Sequence, residues 1–218
     1  MAHPLAIAGL VLSILALIFL IVAFSTPYWL QSFESSDNRF IKLGLWEACF
    51  NDYTYYKDYM GKRYDGCWWI FSYEYRPIWS WLNPPWFLGI QILLTLTLLT
   101  KLASVILQLM LMVKCCPSTK ATCLDFLNSG MMFGSGAIIA ISCILFGINS
   151  DADREWLPRP EQNYLSWSFG MCVFSGFLAI FAGMCLVVEA IRFRLTQQHS
   201  KPAPPYGGYV MKSVPPRY

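Results

Sequence analysis

The chain has 218 residues, 56% hydrophobic and 13% charged, against about 25% charged in an ordinary soluble domain. Its formal net charge of +3 is too small to argue for nucleic acid, and no basic run interleaved with aromatics forms a binding groove. A mean hydropathy of +0.44, with apolar residues gathered in blocks long enough to cross a bilayer, makes this a membrane protein with one integrated domain.

The first block, residues 5–24, ends at Ser25-Thr26-Pro27. No Lys or Arg precedes it, and it exceeds the ~7–15 apolar residues of a signal peptide, so it reads as a membrane span. Residues 25–85 form a long loop rich in aromatics. Phe40 to Trp46 and Cys67 to Tyr75 alternate as strands do, the second placing Trp69, Phe71, Tyr73 and Tyr75 on one face. An isolated hairpin is marginal in water, so the loop is predicted to carry a twisted antiparallel sheet of about four to five strands. Between Phe50 and Gly66, Tyr53, Tyr55, Tyr56, Tyr59 and Tyr64 stand among mixed charges. Tyr offers a large rigid surface at little rotamer cost, so this stretch is either a contact surface for another molecule or a solvated hairpin.

The second block, residues 86–113, is longer than the ~20 residues a bilayer needs, which predicts a tilted or projecting helix. Lys101 lies inside it, where a charge is costly. That lysine is either functional or accommodated by packing against a carbonyl or carboxylate. A short loop, residues 114–125, places Cys115 and Cys116 directly after the span and Cys123 before the next. Juxtamembrane cysteines are palmitoylation candidates, here Cys115 and Cys116, the alternative being unmodified thiols. The third block is residues 126–148. The loop that follows, residues 149–166, carries Asp151, Asp153, Glu155 and Glu161 against Arg154 and Arg159. Its Trp156-Leu157-Pro158 is either an apolar adhesive tip or part of a solvated loop. The fourth block is residues 167–190. Cys143, Cys172 and Cys185 lie within spans and read as small packing residues.

Small residues at Gly9 and Ser13, Gly130 and Gly134, Gly136 and Ala140, and Gly176 and Gly183 let helix backbones approach. In lipid such close packing drives association, which predicts a compact left-handed four-helix bundle. Arg192 and Arg194 sit at a membrane exit, where positive charge marks the cytosolic side; the first loop, about 60 residues long, counts weakly. The full count is close, seven Lys and Arg in the short loop and tail against eight in the two larger loops. Together with the disulfide implied below, the exit charges place both termini in the cytosol and the two larger loops outside. The tail, residues 191–218, is rich in Pro, Gly and Tyr from Ser200 onward and is predicted to be disordered. Within it, Pro215, Pro216 and Tyr218 form a Pro-Pro-x-Tyr match to the ligands of WW domains.

In the first loop, Trp29, then Gly44-Leu45-Trp46, then Cys49 and Cys67 follow one another in an order that resembles the signature of the claudin family, within the wider claudin and peripheral-myelin-protein superfamily. Gly66-Cys67-Trp68-Trp69-Ile70-Phe71-Ser72-Tyr73-Glu74-Tyr75 is similar to the arthropod claudin-like proteins of septate junctions. The resemblance covers roughly residues 1–190 and implies an integral-membrane α+β domain with its sheet outside the cell. It also implies a Cys49–Cys67 disulfide, which needs an oxidising space and, closing about 18 residues, contributes on the order of 3 kcal/mol. Trp29 and Trp46 would anchor the sheet near the lipid headgroups, and Gly44 would let its strand bend or approach another backbone.

The implied function is that of a structural junction protein in the lateral plasma membrane of epithelia. It would associate with itself and with other claudin-like or junctional proteins, in one membrane and across the gap, to limit paracellular leakage, here at septate junctions. Trp68 and Trp69 beside Cys67 favour a seal, whereas Asp65 leaves an ion-selective pore open. The alternative is an auxiliary or trafficking subunit of an ion channel or receptor on the same fold. Many claudins end in Tyr-Val for PDZ scaffolds, but Tyr209-Val210 is internal here. No serine–histidine pair, paired carboxylates or phosphate loop suggests an enzyme. With only His3 and His199 and no Cys-x-x-Cys, neither a metal nor a cofactor is expected.

Overall fold

The computed structural model describes residues 4–33, 39–58, 61–113, 118–153 and 155–199. Its helices are α1 (Pro4–Ser25), a single turn α2 (Trp79–Leu82), α3 (Pro85–Met112), α4 (Ser118–Ala152) and α5 (Trp167–His199). All but α2 are long and apolar enough to cross a membrane. Local chemistry sets several of their ends. The Ser25 and Thr26 hydroxyls donate to the Ile21 and Val22 carbonyls (2.8 and 2.7 Å), which lie in the last turn of α1 just before Pro27. Pro85 opens α3, a position where its missing N–H would have had no helical partner.

Two helices outrun the apolar blocks. Residues 118–125, expected in a loop, form the start of α4, and residues 191–199, expected in a disordered tail, continue α5. Neither stretch contains Gly or Pro to break a helix. Hydropathy marks the lipid-facing band and is silent on where the helix stops.

The four spans close a ring in which α5 packs on α1 and α4, and α3 packs on α4 and α1. At the α4–α5 crossing a Cβ on Gly136 would lie 2.8 Å from Ile180 and 3.3 Å from the Gly176 carbonyl, so hydrogen is all that fits. Gly9 and Gly183 press similarly on Leu186 and Phe133. The expected close approach at Gly130 and Gly134 is not made, since nothing lies within 4 Å of either.

One end of the bundle carries a five-stranded antiparallel sheet in the order β4-β3-β2-β1-β5, with β1 (Leu30–Ser32), β2 (Phe40–Leu43), β3 (Glu47–Thr54), β4 (Arg63–Trp69) and β5 (Asn163–Leu165). The strand read over Phe40 to Trp46 ends at Leu43, because Gly44 turns the chain back into β3. The strand read over Cys67 to Tyr75 ends at Trp69. A turn closed by Ser72 N–H to Trp69 O leads into a 3-10 helix, Tyr73–Ile78, that contains Pro77. The shared face expected for Trp69, Phe71, Tyr73 and Tyr75 is therefore absent: Tyr75 turns inward and donates its hydroxyl to Ala48 O, while Tyr73 is 80% exposed.

The loop after α4 is part of the same sheet. β5 pairs with β1 in the register Leu30 with Leu165 and Gln31 with Tyr164. Trp156 and Leu157 are not an adhesive tip, since only 2% and 3% of their surfaces are exposed. The Trp156 indole lies 4.7 Å from the Trp86 ring and 5.7 Å from Phe87, and its N–H donates to Leu82 O at 3.2 Å. Leu157 and Arg159 take left-handed backbone (φ 64° and 49°) in the turn that tucks this indole under the sheet. Trp156→Ala is expected to lower unfolding stability by about 3–5 kcal/mol, measured thermally in detergent, whereas Leu165→Ala, at an exposed position, should change it far less.

Candidate functional site

The signature residues converge on the joint between sheet and helices. α1 ends with carbonyls that lack helical partners. Two donors meet the Ala23 carbonyl: the Trp29 indole N–H at 2.7 Å and the Ser168 hydroxyl at 3.1 Å. The Trp29 ring, fully buried, packs edge-on against Phe146 of α4 (5.0 Å) and Phe169 of α5 (5.6 Å). Trp29 is therefore not a lipid-interface anchor; protein surrounds it on every side. Its own N–H donates to Leu43 O and its carbonyl accepts from Ser166 N–H, so one residue ties β2, α1 and the start of α5 together.

Gly44-Leu45-Trp46 is the β2–β3 turn, with Gly44 N–H donating to Glu47 O at 2.8 Å. The turn docks at three points. A Cβ on Gly44 would lie 2.5 Å from Pro27 Cα and 2.8 Å from Thr26 O, so the backbones touch there. Leu45 is buried, and its carbonyl accepts from the Gln91 side-chain amide of α3 at 2.6 Å. Trp46 is partly buried between Phe24 (5.2 Å) and Phe71 (6.2 Å). The sequence reading missed Gln91 and its partner Asn83 (3.4 Å). The available signal was an amide inside an apolar span, one of two there with Gln108.

Cys49 and Cys67 are disulfide-bonded across the directly paired positions of β3 and β4. The Glu47 carboxylate stands 3.7 Å from Cys49 Sγ. These three residues do not make a metal centre, because sulfurs bonded to each other present no thiolate.

The tyrosines of the β3–β4 hairpin divide. Tyr53 and Tyr64 are core residues, 9% and 2% exposed, whereas Tyr56 faces solvent. Tyr53 stacks on Phe50 (5.1 Å) and Trp81 (5.7 Å), and Trp81 donates to Glu155 O at 2.7 Å, tying the hairpin to the other loop. Tyr59 lies outside the described residues, as do the palmitoylation candidates Cys115 and Cys116 and the WW-ligand residues Pro215, Pro216 and Tyr218. Burial, with smaller contributions from Tyr55 and Tyr56, pushes the Tyr53 hydroxyl up to about 12. Burial, then the Asp58 charge and hydrogen bond, does the same for Tyr64. These phenols stay neutral at physiological pH and serve packing.

An exposed aromatic strip is the surface that remains for partners. Trp68, Trp69, Phe71 and Trp79 are 47%, 55%, 36% and 39% exposed, well beyond what scattered surface aromatics require. Phe71 is in ring contact with both Trp69 (5.4 Å) and Trp79 (6.1 Å). Phe71, Tyr73, Arg76 and Trp79 line a shallow cleft of about 620 Å³. A second groove of about 270 Å³ continues from Phe71 and Trp46 down α3 past Leu88, Ile92 and Leu96. The strip thus runs from the free edge strand β4 onto the lateral wall of the bundle. Trp79 was not singled out in the sequence because a short helix, not an alternating strand, presents it.

Residues 14–188 match the family model described as PMP-22/EMP/MP20/Claudin tight junction. The chain belongs to this PMP-22/EMP/MP20/Claudin family. It is a multi-pass plasma membrane protein of the junction type, built on a non-enzymatic family fold. A search of curated proteins returned no match to the chain. In this chain the signature is structural, since each motif residue sits either in the sheet–bundle joint or in the disulfide.

Two outcomes test that assignment. Gly44→Ala forces its methyl into the Pro27 backbone and should lower stability by about 1–3 kcal/mol in thermal unfolding. The phenol equilibria work in the opposite pH sense from carboxylates. A raised folded pKa favours the folded state below the ordinary value near 10, and that contribution fades as pH rises toward about 12. Stability should therefore fall between roughly pH 10 and 12, tracked by phenolate absorbance, and Tyr53→Phe together with Tyr64→Phe should flatten the fall.

Proposed function

We propose that this protein is a structural cell–cell junction protein that assembles side by side in the lateral membrane and forms a paracellular diffusion barrier, at the septate junctions of epithelia. The observation that carries this reading is the aromatic strip on β4, the 3-10 turn and α2, placed beside the bundle where a neighbour in the same membrane would meet it. A disulfide forms and persists in an oxidising space, which favours the sheet outside the cell. Arg192 and Arg194, where α5 leaves the bilayer, favour cytosolic termini. Partners in this reading are further copies of the chain and other claudin-like or junctional membrane proteins, in the same membrane and across the gap. Cys115 and Cys116 are proposed acyl sites, and Pro215, Pro216 and Tyr218 a ligand for a WW-domain or scaffold protein.

A seal is favoured over a pore by the side chains next to Cys67. Trp68 donates its indole N–H to Asp65 O at 2.9 Å, folding a large ring over the strand at the position where a cation pore would gather carboxylates. Asp65 is the acid to neutralise if conduction is found.

Expression in non-adherent cells tests the function. Continuous strands at cell contacts are expected; no strands, with altered currents through a co-expressed channel, would favour the auxiliary-subunit reading. Replacing Phe71 and Trp79 by Ser should weaken each lateral contact by about 2 kcal/mol, roughly thirtyfold in affinity, with surface delivery retained and strands lost. Cys49→Ser should abolish junctional localisation, and deletion of 215–218 should leave assembly intact.

A further inference from the structure

Two hollows on the outside of the molecule meet at one ring. Phe71 lines both the cleft of about 620 Å³ beside the 3-10 helix and the groove of about 270 Å³ along α3. Their chemistry differs. The cleft holds an exposed cation, Arg76, with Tyr73 and Trp79 beside it. The nearby Glu74 is already engaged, since the Lys62 ammonium lies 2.6 Å from its carboxylate. Among the described residues no carboxylate lines either hollow and no ion pair reaches Arg76. The cleft therefore presents one positive charge without a counter-charge, inside a rim of rings.

The groove is the opposite. Leu88, Ile92 and Leu96 recur once per turn of α3 and, with Trp46 and Phe71, give it hydrocarbon walls. Two polar side chains also line it, but both are occupied within the protein. The Gln91 amide donates to Leu45 O (2.6 Å), and the Thr95 hydroxyl donates to Gln91 O (2.7 Å). At 1.5 Å per residue Leu96 lies about 16 Å along the helix from Pro85, roughly half the ~30 Å of bilayer hydrocarbon. The groove thus starts where α3 enters the membrane and runs through one leaflet, on the side where the sheet stands.

We propose that a phospholipid of the sheet-side leaflet (the outer one in the orientation proposed above) binds here, its phosphate on the Arg76 guanidinium and one acyl chain in the groove along α3. A guanidinium offers a phosphate two parallel N–H donors. Trp79 lines the cleft and Trp46 the groove, so an indole stands at each half of the site, as suits the membrane interface. A diacylglycerol would fill the groove and leave the cation without its anion. A free phosphate would meet the cation in water, without the contribution of a buried chain. The site overlaps the strip proposed for lateral contact, but binding is a property of the single chain and is read without assembly.

The test uses the full chain, stripped of lipid in detergent and titrated with phosphatidylcholine, phosphatidylglycerol or a diacylglycerol of identical chains. Native mass spectrometry counts the lipids retained. One phospholipid per chain should be held, with either headgroup, about tenfold more tightly than the diacylglycerol. Inorganic phosphate in excess should not displace it. Arg76→Gln should bring both phospholipids down to the level of the diacylglycerol, and Arg76→Lys should recover part of the difference. Ile92→Trp, a change at an exposed position that blocks the groove, should weaken all three lipids. Equal retention of diacylglycerol and phospholipid by the unaltered chain would overturn the proposal. So would displacement by inorganic phosphate, or undiminished phospholipid on Arg76→Gln. The comparison of lipids needs no variant, so a misfolded mutant leaves the test standing. Lost lipid selectivity with strands still formed at cell contacts would contradict this site alone, and lost strands with selectivity intact would contradict the junction reading alone.

Discussion

The hydrogen bond from the Trp29 indole to the last turn of α1 is the point on which the rest of the molecule turns. A transmembrane helix must end with carbonyls that have no helical partner, and this one ends beneath a sheet. Supplying the donor from a tryptophan that is itself wedged between Phe146 and Phe169 does two jobs at once. It satisfies the polar end of one span, and it drives an aromatic rivet between two others. Gly44 completes the joint by admitting the Pro27 backbone where any side chain would stand in the way. Sheet and bundle are in consequence one packed body.

That coupling explains how so small a sheet can present a surface. Three of its strands have three or four residues, and β4 and β5 are its edge strands. Strands this short hold their register only against a rigid floor. The floor is the cluster of Trp86, Phe87, Phe146 and Trp156 at the sheet end of the spans, with the disulfide bracing the longest strand pair. With the interior so fixed, Trp69, Phe71 and Trp79 are left outside by the geometry of the fold, which is what supports the proposed contact surface.

How far the sequence disclosed this depended on how local each cause was. A bilayer demands a long apolar block, so the four spans could be read directly; the cysteine pair came from the resemblance, and Gly44 reads as part of a strand and not as its turn. The aromatic run after Cys67 misled because alternating rings imitate a strand, while Pro77 and the inward demand of Tyr75 dictate a 3-10 turn. β5 escaped notice because its three residues become a strand only by pairing with β1, which lies more than a hundred residues away in the chain. Trp156 reads as a tip or a solvated loop residue because the pocket that buries it is assembled from α3, far away in the chain, and α4. The hairpin tyrosines divided in the same way: Tyr53 and Tyr64 belong to a core that only the folded sheet creates.

Hydrogen–deuterium exchange on the protein in lipid nanodiscs tests the central claim, that sheet and spans are a single mechanical unit joined at Trp29. The Leu43-bonded amide of Trp29 and the Glu47-bonded amide of Gly44 should exchange as slowly as amides deep in α1 and α5, opening only with the whole fold. Exchange of these amides many orders faster than that of the spans, with the disulfide intact, would show a sheet that moves on its own and would contradict the account.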